Sequence, residues 1–144
     1  MRHVMLASIR MSDGLIKLRR TALIAAYGGA IVSEGLMLYA GRRNTHLLIT
    51  ILFIGWVLGP YLALVLADCF SKTWTIPARA AVYWLMIVVT LGSLAIYIND
   101  VLDPPKAKGA FVYVAVPIAS GILIVIVVAA AALCHNRWIR WRSP

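Results

Sequence analysis

The sequence predicts an all-α fold, a polytopic membrane protein built as a four-transmembrane-helix bundle. Three observations carry that expectation. Of the 144 residues, 62% are apolar and only 13% charged, with a mean hydropathy of +0.89, more apolar surface than a soluble domain of this size can bury. Four apolar runs, at 21–40, 46–68, 79–98 and 110–133, reach the roughly 20 residues that a helix needs to cross about 30 Å of hydrocarbon. None of them alternates as a barrel strand would, and every backbone group in lipid needs an internal partner, which leaves helices. The chain thus divides into a basic arm at 1–20, a membrane domain at 21–133 and a basic tail at 134–144.

The arm carries Arg2, Arg10, Lys17, Arg19 and Arg20 without a continuous apolar stretch, so span one is expected to be a retained signal-anchor. "VMLASIRM" suits either a short interfacial helix, interrupted at Asp13 and Gly14, or a disordered arm. Within the spans, small residues indicate how helices meet, because association in lipid relies on close backbone approach. Gly28 and Gly29 lie in span one, Gly55 and Gly59 form a G-x-x-x-G pattern before Pro60 in span two, Gly92 lies in span three, and Pro117 and Gly121 lie in span four. These are expected to serve packing inside the bundle, with an oligomer seam as the alternative. Pro60 and Pro117 should kink their helices or widen the gap between them.

The net charge of +9 does not indicate nucleic acid, because the cations gather at span ends. Arg2, Arg10, Lys17, Arg19, Arg20, Lys72, Arg79, Arg137, Arg140 and Arg142 fall on one side, and Arg42, Arg43, Lys106 and Lys108 on the other. The positive-inside tendency places both termini in the cytoplasm. In the tail, Trp138 and Trp141 alternate with Arg137, Arg140 and Arg142, a pattern suited to anchoring in the headgroup layer, so the bilayer is the expected partner and nucleic acid is not.

Cys69 and Cys134 fall at cytoplasmic span ends, beside Asp68 and His135, and read as free thiols. Their spacing matches no zinc signature, so no metal is expected. The histidines, His3, His46 and His135, lie outside the spans, which excludes a haem held between two helices. Neither phosphate-binding loops nor hydrolase or metalloprotease motifs occur, the connections are too short to fold alone, and no enzyme or cofactor is expected.

Glu34 is the acid set deepest in a span. With span one centred near residue 30, it lies about 5 Å toward the outer leaflet. A charge there costs roughly 2.5 to 3.5 kcal/mol, so the side chain should face the bundle or a wet cavity. Ser33 is adjacent and Tyr27 lies seven residues back on much the same face, making the three a candidate proton or cation coupling group. A packing role for Glu34 is the alternative.

"YGGAIVSEG", with Gly28, Gly29, Ala30, Ile31 and Glu34 in those places, resembles the first helix of the small multidrug resistance transporters, four-helix proteins whose membrane glutamate is shared between protons and cationic substrates. The resemblance implies a coupling role for Glu34. It is local: the basic arm and the absence of a Y-x-x-W-x-G-x-G pattern at 83–92 depart from that family. "GPYLALVLA", "IYIND" and "GAFVYVAVPIASGILIVIVV" are similar to small, uncharacterised bacterial four-helix inner-membrane proteins, which implies a bacterial inner membrane, places Asp100 and Asp103 in an outer loop and implies no activity. The expected function is a non-enzymatic accessory or interaction protein (complex subunit, assembly factor or immunity-type) that binds another membrane protein or itself. A proton-coupled exporter of small cations using Glu34 is the second expectation, and a pore or holin the third.

Overall fold

A computed structural model describes residues 2–42, 46–102 and 109–142 as four helices: α1 (Arg2–Ala40), α2 (Leu47–Ser71), α3 (Ile76–Leu102) and α4 (Gly109–Arg142). All four are long and apolar enough to cross a membrane, over Asp13–Ala40, Leu47–Ser71, Ile76–Leu102 and Phe111–Trp138. The protein is an all-α four-helix bundle, and its multi-pass membrane character follows from these spans.

The helices outrun the apolar runs, for reasons outside the runs themselves. α1 passes through Asp13 and Gly14 without the expected interruption. One glycine costs a helix only about 1 kcal/mol, and just beyond it Leu15 and Leu18 pack on the core while Arg19 is tied to α2. At 39 residues α1 extends about 58 Å, about twice the hydrocarbon thickness. α3 continues through Asp100 to Leu102, and α4 takes in most of the tail. The expectation of a solvated loop at Asp100 is therefore corrected: the residue is helical and only 7% exposed. Asp103 lies outside the described residues.

Around the bundle the order is α1, α3, α4, α2, with α2 and α3 also touching across the middle. α1 approaches α3 closely at Gly29, where a β-carbon would collide with the Thr90 methyl group and press on the Tyr61 ring. Two apolar clusters fill the interior. One holds Ala22, Ala26, Leu64, Val82, Met86 and Val89 among others; the second holds Met37, Val57, Tyr97, Tyr113 and Val116. Outward stripes such as Ile24, Ile31, Leu48, Leu52, Trp84 and Val125 are exposed, as hydrocarbon requires of a lipid-facing surface.

Candidate functional site

Between the two apolar clusters lies a layer of buried hydroxyl groups. Ser33 on α1 and Tyr61 on α2 share a hydrogen bond of 2.7 Å, and Ser93 on α3 shares one of 3.4 Å with Ser120 on α4. Thr90, one turn before Ser93, is buried with its hydroxyl unpartnered. All four helices contribute, so the layer exists only once the bundle closes. In hydrocarbon a hydroxyl must find such partners within the protein.

Glu34 borders this layer. The residue is half-buried, yet both carboxylate oxygens are buried and neither has a hydrogen-bond partner. The grouping of Glu34 with Ser33 and Tyr27 needs correction on both counts. Ser33 points away from its sequence neighbour, as consecutive helical residues do, and is engaged by Tyr61. Tyr27 is 57% exposed and belongs with Ile24 and Ile31 on the outer stripe of α1.

Two further polar groups sit nearer the helix ends. Arg19 donates from Nε and Nη2 to the two carboxylate oxygens of Asp68, at 2.9 and 2.8 Å, a bidentate pair in which Asp68 is 3% exposed. Tyr83 stands beside it, receiving a long 3.4 Å hydrogen bond from Arg79 Nη2 while Arg79 Nε is buried without a partner. Toward the opposite end Tyr97 and Tyr113 stack, with centroids 5.0 Å apart and planes 10° apart. Asp100 Oδ1 and the Tyr113 hydroxyl are both buried without partners.

Comparison with known proteins gives no match to a family model, to a curated protein or to a solved structure. The site is therefore argued from its own geometry.

The expected packing residues divide sharply. Gly29 makes a close helix contact, and Pro60 and Pro117 are buried. Gly28, Gly55, Gly59, Gly92 and Gly121 have no neighbouring atom within reach of an added β-carbon, so the expectation that they pack helices inside this chain is corrected. The reason is orientation: Gly55, Gly59, Pro117 and Gly121 line an open apolar groove of about 500 Å³ between α2 and α4, bordered by Trp56, Ile122 and Ile126.

At the other candidate positions, Cys69 and Cys134 are free and exposed, and no group of three or more metal-binding side chains occurs among the described residues. His135 has a structural place instead, stacking on Trp74 and accepting the Thr75 amide through Nδ1. Arg137, Trp138 and Arg140 are exposed on the end of α4, and the side chains of Trp141 and Arg142 lie outside the described set.

Proposed function

We propose that this chain is a non-enzymatic accessory or interaction protein of the bacterial inner membrane, with both termini cytoplasmic, that receives a helix of another membrane protein or of a second copy. The observation that carries this reading is the groove between α2 and α4. Its floor is made of glycine, alanine and proline, and its walls carry no charge. Helices in lipid associate where small residues let backbones approach, and here Gly55, Gly59 and Gly121 have no neighbouring atom within reach of an added β-carbon.

The test follows from the open space at Gly59. A β-carbon there meets no other atom of the fold, and a leucine side chain would extend into the groove. Wild type extracted in mild detergent should run as a complex, and Gly59→Leu as a folded monomer. A wild-type chain that is monomeric and alone after gentle extraction rejects the reading.

A second reading, proton or small-cation coupling at Glu34, is favoured by its buried and unpartnered carboxyl group. Ionisable groups in spans are costly and generally serve function when no structural partner accounts for them. Cells making equal amounts of wild type and Glu34→Gln should differ in growth on lipophilic cations. Equal growth sinks this reading and leaves the first intact.

A further inference from the structure

At the Arg19–Asp68 end of the bundle, the turn between α2 and α3 is fastened to α4 through one histidine. His135 Nδ1 accepts the Thr75 amide at 3.3 Å, and the imidazole stacks on Trp74 with ring centroids 6.2 Å apart and planes 24° apart. Thr75 is also where α3 begins, since its carbonyl accepts the Arg79 amide at 3.0 Å, and Trp74 closes the turn by donating to the Ser71 carbonyl at 2.9 Å. His135 thus holds the exit of α2 and the start of α3 against α4. Farther along the bundle, α2 and α4 are also the helices that line the open groove.

The hydrogen bond fixes the chemical state of the ring. A nitrogen that accepts carries no proton, so the imidazole is neutral with its hydrogen on Nε2. A proton added at Nδ1 sets two N–H groups face to face, and the contact must open. Trp74 does not oppose the change, because an indole face also attracts a cation. His135, Trp74 and Thr75 are only half-buried, so water can deliver the proton and can take up the Thr75 amide once it is freed. The charged groups on the elements packed here are Lys72 in the turn, Arg79 on α3 and Arg137 on α4, with Asp68 on α2 already held by Arg19. The other titratable groups are Cys69 on α2, Tyr83 on α3 and Cys134 on α4. None of these is a free carboxylate that would hold an imidazolium in the closed arrangement.

We infer that His135 is a pH-sensitive clasp: neutral, it fastens the α2–α3 turn to α4, and protonated, it releases the Thr75 amide and loosens the turn from α4. Imidazole is the side chain whose charge ordinarily changes between about pH 5 and 8, so modest acidification is enough to work such a device. With both termini cytoplasmic, the pH that is sensed is that of the cytoplasm. The clasp stands on the geometry at His135 and does not need an occupant in the groove. Its release acts on the spacing of α2 and α4, the two helices between which the groove lies.

The experiment is nitrogen NMR of the full chain in lipid nanodiscs, with the pH stepped from about 8 to about 5.5 across the imidazole range. The His135 ring signals are assigned by removing His3 and His46 in turn, so the assignment does not depend on a His135 variant that folds. At the upper pH the ring should show a bare Nδ1 and a protonated Nε2, and the Thr75 amide should shift with the same midpoint as the ring. Spin labels on Thr73→Cys and Asn136→Cys, both exposed positions, in a chain that also carries Cys69→Ser and Cys134→Ser, should give a narrow distance at the upper pH and a broad one at the lower. In His135→Gln, whose carboxamide oxygen can accept at every pH, the amide and the distance should both ignore pH. A ring that carries its proton on Nδ1 at the upper pH, or a Thr75 amide that does not follow the ring, overturns the clasp. A label distance that stays narrow while the amide titrates overturns the release of the turn. A pH response that persists in His135→Gln assigns it to another group and overturns the inference as well.

Discussion

Arg19 grips Asp68 with two hydrogen bonds across 49 residues of sequence, tying α1 to α2 at the end of the bundle remote from Asp100. The two partners are unequally exposed, 37% for the arginine side chain and 4% for the aspartate. Their removal should therefore be unequal. Arg19→Ala strands a buried carboxylate and should cost about 3 kcal/mol, the lower end for a broken buried pair because water reaches the guanidinium. Asp68→Asn leaves an arginine that can turn toward headgroups and should cost less. Unfolding midpoints in detergent check this, and equal losses would mean that the pair acts only through packing.

Gly29 sets the spacing of α1 and α3. Gly29→Ala drives a methyl group into Thr90 and Tyr61 and should cost about 1 to 3 kcal/mol, the usual range for overpacking. Thr90→Ala removes the obstructing methyl group and gives up no hydrogen bond, since the Thr90 hydroxyl has none. The double variant should recover much of the loss, whereas Gly28→Ala, next door in open space, should be close to neutral. A thermal-unfolding series of the four proteins decides it; equal effects at Gly28 and Gly29 contradict the close approach.

The contrast between those two glycines shows what was legible in the sequence. The four spans were, because apolar length is a property of a continuous run. Glu34 was also visible as an acid in such a run, but its surroundings were not. Tyr61, Ser93, Ser120 and Asp100 come to the site from other helices, and their rotation about the helix axis is set only when the bundle closes. The signal that could have found them was their polarity within the runs, and antiparallel spans two and one place Asp68 and Arg19 at similar depth. The ends of α1 and α3 were misplaced for a related reason: Asp13, Gly14 and Asp100 read locally as breaks, whereas tertiary contacts carry the helices past them.

The Ser33–Tyr61 hydrogen bond should carry a modest coupling energy. Interhelical bonds in membranes average about 0.6 kcal/mol and rarely exceed about 1.7, because the separated helices also find partners. Tyr61→Phe leaves the Ser33 hydroxyl without its partner, while Ser33→Ala leaves Tyr61 near Ser93. Tyr61→Phe should be the more damaging single change, and the double-mutant cycle should return a favourable coupling within that range. A coupling of zero would show that the 2.7 Å contact does not hold α1 to α2.

Cys69 and Cys134 are both exposed and sit near the ends of α2 and α4 that share a side of the membrane with the start of α1. If the basic ends face the cytoplasm, a membrane-impermeant maleimide should leave both thiols unlabelled in intact cells and label both in inverted vesicles. Labelling from outside reverses the orientation.

Glu34 gives a test in which stability and function should move in opposite directions. Its carboxyl group is buried without a hydrogen bond, and replacing such a group by an apolar one of similar size removes a desolvation cost without breaking a contact. Glu34→Met should therefore raise stability in detergent unfolding, by about 1 kcal/mol, and abolish any growth advantage on lipophilic cations that wild type confers. A protein that keeps the less stable residue spends that stability on activity, as sites under functional constraint do. A fall in stability would point the other way. The carboxyl group would then be holding the bundle through a contact made in the membrane, and Glu34 would return to the packing role that the sequence left open.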